Sequence, residues 1–376
     1  MGTYLLFLIS LLLICLLAGS LAYCVLIVIS VRSYLRQPRR TSARSSISIL
    51  KPLMGAEDGL ETNLRSFFEQ AYDQFEILAA VRDQDDPAAA IFAKLQREYF
   101  HVPSSLIVTG EPPYANAKVF SLARMLTAAK HDLLVMSDSD IRVEPDMLSS
   151  VSAEFEDPKV ALATCPYRAV AGDSFWSALE AEGMNTEFLG GLLVARMLMG
   201  VDFAVGPTIV ARREVLDRVG FDRLKEYLAE DFVMGKFAAE AGMGVILSRT
   251  IVEHRIGAQG FFANASHRLR WVRSTRRSRA LGYVGQIFTN PLPLALLVWI
   301  LQPGWWAVLI PALILRALAA WTVSSLVLRQ SVNWALLPLQ DLLGFMFWIA
   351  GFFGNTIVWR GRRYYLHPDG RFELVT

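Results

Sequence analysis

Two aspartates one residue apart, Asp138 and Asp140, end an apolar run within residues 133–142, Leu-Leu-Val-Met-Ser-Asp-Ser-Asp-Ile-Arg. An uninterrupted apolar stretch that stops at turn residues reads as a strand buried on both faces. Such strands are typical of parallel α/β sheets, whose ligands gather at the strands' carboxyl ends. In extended backbone, residues i and i+2 point to the same side, so both carboxylates can reach one hard divalent cation, Mg2+ or Mn2+. Such a cation prefers oxygen ligands and shares them with a diphosphate. The spacing predicts a metal and nucleotide-sugar edge; the plainer alternative is a strand-end turn with two solvated acids.

Further charged groups fall at comparable edges. The apolar stretch 75–81 runs into Arg82-Asp83-Gln84-Asp85-Asp86-Pro87. Asp followed by Pro at a helix start is capping chemistry, which accounts for one of the three acids. The others can accept a hydrogen bond from a uracil imide or a ribose hydroxyl. Lys118, near the start of a helix expected to run to about residue 129, is either a diphosphate ligand or a solvated helix-start lysine. Glu230 and Asp231 open another helix. Acids there suit the helix dipole, or serve as a general base for an acceptor hydroxyl within hydrogen-bond reach. Residues 261–281 hold His267, Trp271 and six arginines, Arg268, Arg270, Arg273, Arg276, Arg277 and Arg279. Phosphates of a nucleotide or of lipid head groups suit this cluster better than nucleic acid does, because the chain carries a net charge of only +2. No Ser-His-Asp or Cys-His set for covalent catalysis is apparent.

The elements that must position these groups divide by composition. Hydrophobic residues make up 53% of the chain and charged ones 19%, with the apolar residues concentrated at both ends, which excludes a purely soluble protein. Residues 4–31 exceed the roughly 20 needed to cross a bilayer and precede Arg32, Arg36, Arg39 and Arg40, a cytosolic flank. The run lacks the positive start of a signal peptide and exceeds its usual length. Cys15 and Cys24 fall inside this anchor and Cys165 stands alone, neither a disulfide framework nor a zinc spacing.

The middle, 45–285, suffices for one α/β domain opening as strand 46–50, helix 60–70 and strand 75–81. A helix 87–99, the central strand, a strand 160–164 and an apolar helical stretch 175–199 follow, and residues 206–208 are expected to close an apolar strand. Beyond it, 292–301 is too short to span, whereas 305–328 and 334–359 are long enough. Arg316, inside a span, needs a partner, a cavity or the interface. The expected organisation is an anchor 1–32, a catalytic domain 45–285, a membrane region 286–360 with about two spans, and a cytosolic tail 361–376.

The order of motifs resembles the ceramide glucosyltransferases. The resemblance is carried by Ile47-Ser48-Ile49-Leu50-Lys51-Pro52-Leu53, by residues 81–88, by Ser137-Asp138-Ser139-Asp140, by Ala229-Glu230-Asp231 and by Arg270-Trp271. Bacterial hopanoid-associated glycosyltransferases look similar. The resemblance implies a glycosyltransferase A-type, Rossmann-like cytosolic domain between transmembrane helices. It also implies inverting transfer from a UDP-sugar, of glucose or N-acetylglucosamine, to a membrane-lipid hydroxyl on a ceramide-like or hopanoid acceptor. The reaction would take place at the cytosolic leaflet, in a bacterial inner membrane. By position, Asp83 with Asp85 or Asp86 falls near the nucleotide, Asp138 at the metal and diphosphate, and Asp231 at the base. Arg270 and Trp271 end a Gln-or-Arg, x, x, Arg, Trp motif whose first position holds His267. Eukaryotic members carry Gly at Asp140 and His at about Phe188. A processive polysaccharide synthase would need more spans, and a non-catalytic scaffold or transporter would not need acids at three successive edges.

Overall fold

The computed structural model describes residues 2–38, 45–359 and 361–375; Arg39 and Arg40 of the expected cytosolic flank lie outside the described residues. The chain forms two compact units. Residues 38–170, 201–257 and 362–376 make one, and residues 1–37, 171–200 and 258–361 the other.

The first unit is built on a seven-stranded sheet. In chain order the strands of this unit up to residue 257 are β1 (Ile47–Pro52), β2 (Phe75–Val81), β3 (Ser104–Val108), β4 (Leu133–Ser137), β5 (Ile141–Arg142), β6 (Val160–Thr164), β7 (Tyr167–Ala171), β8 (Thr208–Arg212), β9 (Gly244–Leu247) and β10 (Val252–Ile256). The large sheet is ordered β3-β2-β1-β4-β8-β6-β9, and β5-β10-β7 form a small one. β1 pairs in parallel with β2 and β4, so their carboxyl ends share one edge. β2 and β4 are buried at every residue, as continuous apolar runs covered on both faces must be.

The sheet is mixed, because β8 runs antiparallel to both β4 and β6. The expected strand before residues 206–208 is absent, and the strand begins at Thr208 instead. The Val205 amide and carbonyl both pair with the Thr164 hydroxyl rather than with a ladder, and Pro207 supplies no amide.

The second unit holds the apolar helices. Among the described residues, Tyr4–Leu35 and Pro303–Val327 are long and apolar enough to cross a membrane. Ala280–Phe288 and Pro291–Leu301 qualify only as a pair, bent by 59°. The stretch 334–359, expected as one span, divides into a 16-residue helix, Leu336–Gly351, and a strand, Thr356–Trp359. The division has a visible cause. The Arg273 guanidinium donates to the carbonyls of Phe353 (3.1 Å) and Thr356 (2.6 Å), and Arg276 to those of Phe352 and Gly354. Arg276 and Arg277 both donate to the Asn355 side chain. Carbonyls that a continuing helix would have paired internally are satisfied from outside it. Three of the six arginines expected to face an anion are therefore committed to backbone and amide oxygens. Arg316 has the partner it needs, a buried ion pair with Asp341 at 2.8 Å, and also donates to the Thr186 hydroxyl at 3.1 Å.

Candidate functional site

The carboxyl edge of β1 and β4 gathers most of the chemistry. Asp138 follows β4 directly, and its amide donates to the Pro207 carbonyl at 3.1 Å. Lys118 lies in the first turn of the helix Ala117–Ala128, which Asn116 caps by accepting the Val119 amide at 3.1 Å. From there its ammonium reaches Asp138 at 2.7 Å and Glu230 at 3.1 Å. Glu230 and Asp231 open the helix Glu230–Glu240. Gly235 lets this helix rest on the backbone of residues 203–204, where an added Cβ would lie 2.3 Å from Ala204 N. Asp231 in turn covers Gly206, where a Cβ would come within 2.8 Å of its Oδ2. Lys118, Gly206, Glu230 and Asp231 line one small cavity floored by Met136 and Ile209.

Lys51, the penultimate residue of β1, is fully buried. Its ammonium donates to the Asp138 carbonyl, lies 3.4 Å from Ser137 Oγ and sits 4.0 Å from the centre of the Phe67 ring. Asp140 faces His254 of β10, Oδ2 to Nε2 at 3.0 Å, where β10 pairs with β5. The Ser139 hydroxyl between the two aspartates donates to Glu57 at 2.7 Å.

Four carboxylates, Asp138, Asp140, Glu230 and Asp231, thus share this edge with two lysines, Lys51 and Lys118. The imbalance shows in their proton affinities. Burial, then the neighbouring Glu230, raises the Asp231 carboxyl to about 7. Burial opposes the charge of Lys118, but Asp138, Glu230 and Asp231 outweigh it and hold the ammonium well above its usual range. Burial first, with a smaller push from the Lys118 charge, brings Lys51 down to about 7, against the pull of Asp138 and Asp140. For Asp140 burial is outweighed by His254, and the carboxyl stays below its ordinary value.

A divalent cation fits this charge pattern. Asp140 Oδ1 is buried without a hydrogen-bond partner among the described residues, an acceptor that a cation would satisfy. No group of three His, Cys, Asp or Glu side chains arranged as a metal site occurs among the described residues, so the protein would supply few ligands and a diphosphate the rest.

The remaining acids lie differently. Asp86 caps the helix Pro87–Glu98 through the Ala88 amide at 2.9 Å and accepts the Gly55 amide at 2.9 Å. Asp83 and Asp85 are exposed on the loop after β2. Arg270 and Trp271 belong to the helix Phe261–Ser278 of the second unit, with the Trp271 ring 4.8 Å from His267. His267 in turn bonds to the buried Glu180 at 2.7 Å.

The family model described as "Glycosyl transferase family 21" matches residues 11–372. The chain belongs to glycosyl transferase family 21. Among curated relatives of this family 21 chain, Ceramide glucosyltransferase 1 of Caenorhabditis elegans is 29% identical over 205 residues, 54% of the chain and 44% of that protein. Ceramide glucosyltransferase of Komagataella phaffii is 33% identical over 107 residues, 27% of the chain and 21% of that protein. The chain thus spans less than half the length of these relatives. Among solved structures, a mannosyltransferase from Pyrobaculum calidifontis in complex with GDP-Man and Mn2+ covers 91% of the chain and 97% of its own length, at 17% identity and a TM-score of 0.54. That likeness is one of fold, and the expected glycosyltransferase A-type architecture is found.

Sequence reasoning left three contributors of this family 21 site without a role. Lys51 stood in a quoted motif only; its signal was a lysine inside an apolar strand. His254 sits in the alternating Val-Glu-His-Arg-Ile of β10, a pattern that shows a half-buried strand without naming its partner. Gly206 reveals its purpose only through Asp231.

Proposed function

We propose that this family 21 protein transfers glucose or N-acetylglucosamine from a UDP-sugar to a hydroxyl of a membrane lipid, ceramide-like or a hopanoid polyol, at the cytosolic leaflet. The observation that carries the reading is the Lys118 ammonium, which joins the diphosphate-edge acid Asp138 to Glu230, the neighbour of Asp231. A cation at the leaving group and a base at the nucleophile, set side by side, are what a single displacement requires.

Asp231 takes the proton of the acceptor hydroxyl, its raised proton affinity matching a base that works near neutral pH. The acceptor oxygen bonds to the anomeric carbon as the bond from that carbon to the diphosphate breaks on the opposite face, so the anomeric centre inverts and UDP departs. Lys118 would oppose the charge that develops on the diphosphate. A divalent cation, Mg2+ or Mn2+, held by Asp138 and Asp140 would neutralise the leaving UDP. His254 orients Asp140, and Lys51 fixes the backbone of Asp138. Asp83, Asp85, Asp86, Arg270 and Trp271 are assigned to the nucleotide-sugar by the family motifs alone.

Membranes containing the protein, incubated with labelled UDP-glucose and UDP-N-acetylglucosamine, should yield one labelled glycolipid of inverted configuration. Label released only as free sugar, or an unchanged donor with every lipid extract, refutes the reading.

A further inference from the structure

Residues 362–375 fold back onto the unit that holds the candidate site. Arg362–Leu366 and Phe372–Leu374 pair as an antiparallel hairpin, with Leu366 opposite Phe372. Its turn, His367-Pro368-Asp369-Gly370, has the residues such a turn favours: the Asp369 side chain accepts the Arg371 amide at 3.1 Å, and Gly370 takes a φ of +87°. Tyr364, Leu366 and Phe372 are all buried, an investment of apolar surface that a solvated tail would not make.

What the hairpin meets is the turn before Glu230. The Phe372 amide donates to the Glu226 carbonyl at 2.9 Å, and Arg371 forms a β-bridge with Tyr227. The Arg371 guanidinium pairs with Glu226 at 3.2 Å and lies 5.9 Å from the centre of the Tyr227 ring. From the other side the Asn116 amide donates to the Tyr227 carbonyl at 2.9 Å and lies 3.5 Å from Glu230. Tyr227 is thus clamped between the hairpin and the cap of the helix that carries Lys118. Glu230 and Asp231 follow it by three and four residues.

We infer that the C-terminal hairpin is a positioning element for the acceptor side of the site, setting where the turn 225–229 delivers Glu230 and Asp231. The inference rests on the reading of Asp231 as the base. The turn is held from two sides, by the Phe372 amide of the hairpin and by the Asn116 side chain of the helix Ala117–Ala128. Loss of the hairpin therefore frees the base more than the nucleotide edge, whose groups stand on β1, β4 and the helix Ala117–Ala128.

Two variants of the full membrane protein test this. A chain ending at Gly361 should lose at least about tenfold in kcat, the scale set by misplaced reacting groups, while its Kd for UDP, by calorimetry, stays within about twofold. Unchanged kcat, or UDP binding lost in step with kcat, overturns the inference. Glu226→Arg and Arg371→Glu should each lower kcat about two- to threefold, as suits a half-exposed pair, and the double exchange should restore it. A double variant no better than the singles counts against the hairpin. Asp231→Asn in the same assay separates the two claims: normal turnover there removes the base, whereas normal turnover in the truncated chain removes the positioning role.

Discussion

Asp231→Asn tests the division of labour at the site most directly. The amide nearly matches the carboxylate in size, so the contact over Gly206 is kept and the helix Glu230–Glu240 has no reason to move. Removing the charge relieves repulsion with Glu230, whose own link to Lys118 at 3.1 Å persists, as does the Lys118 link to Asp138 at 2.7 Å. The nucleotide edge is thereby preserved while the proton acceptor is lost. A general base contributes roughly two to four orders of magnitude, or about 3 to 5 kcal/mol of barrier, and kcat should fall by that amount. The pH profile gives a second reading. A base must be deprotonated to act, so with the carboxyl raised to about 7 the rate should fall as pH drops through neutrality, about tenfold per unit below it. That acid limb should be gone in Asp231→Asn. Kinetics between pH 5 and 9, with UDP binding by calorimetry, would show both effects. Asp138→Asn should instead impair UDP-sugar binding and turnover together, and full activity of that variant at saturating metal sinks the cation's placement. Near-normal turnover in Asp231→Asn, or loss of UDP binding as severe as in Asp138→Asn, refutes the assignment of the base and directs attention to Glu230.

Three further outcomes follow from the geometry. Gly206→Ala sets a Cβ within 2.8 Å of Asp231 Oδ2 and should lower kcat about tenfold with UDP affinity unchanged; equal kcat means that the carboxylate need not sit there. Lys51→Met keeps the buried stem but removes the donor to the Asp138 carbonyl, so the donor KM should rise about tenfold, in line with a buried hydrogen bond left unmade; donor titration with and without added metal measures it. Cysteines placed singly at the exposed Asp132 and at Asp369 should both resist a membrane-impermeant reagent applied outside intact cells; labelling of one but not the other contradicts a shared side for domain and tail.

The β-sheet was the most legible part of the sequence. β2 and β6 lie at the expected residues, 75–81 and 160–164, because a strand covered on both faces writes its burial into every position. The pair Asp138 and Asp140 and the helix-start Lys118 were likewise visible as local patterns. Contacts over long separations were not. Asp140 meets His254 114 residues away, and the carbonyls that end Leu336–Gly351 are taken by Arg273 and Arg276 some 80 residues upstream, so hydropathy alone read 334–359 as one span. The same arginines show why a cluster of charge is weak evidence for an anion: neutral backbone oxygens, suitably stranded, attract guanidinium groups as well. β8 was displaced for a related reason, since only the Thr164 hydroxyl reveals that Val205 lies outside the ladder.

The docking of residues 362–375 also constrains how many times the intervening chain can cross a bilayer. The residues that flank the stretch 258–361, up to Gly257 and from Arg362 onward, belong to one folded unit, and a folded unit occupies one side of a membrane. The number of crossings between them must therefore be even. If Pro303–Val327 crosses, as its length and composition allow, one return is left to be made. Two candidates exist: the bent pair Ala280–Phe288 and Pro291–Leu301, or the 16-residue Leu336–Gly351, which at 1.5 Å per residue extends about 24 Å against a hydrocarbon core of about 30 Å. If either makes the return, the other must enter and leave by the same face. Whichever element supplies the return, the other apolar element then meets the bilayer from one face only, as an embedded hairpin or a surface-lying helix.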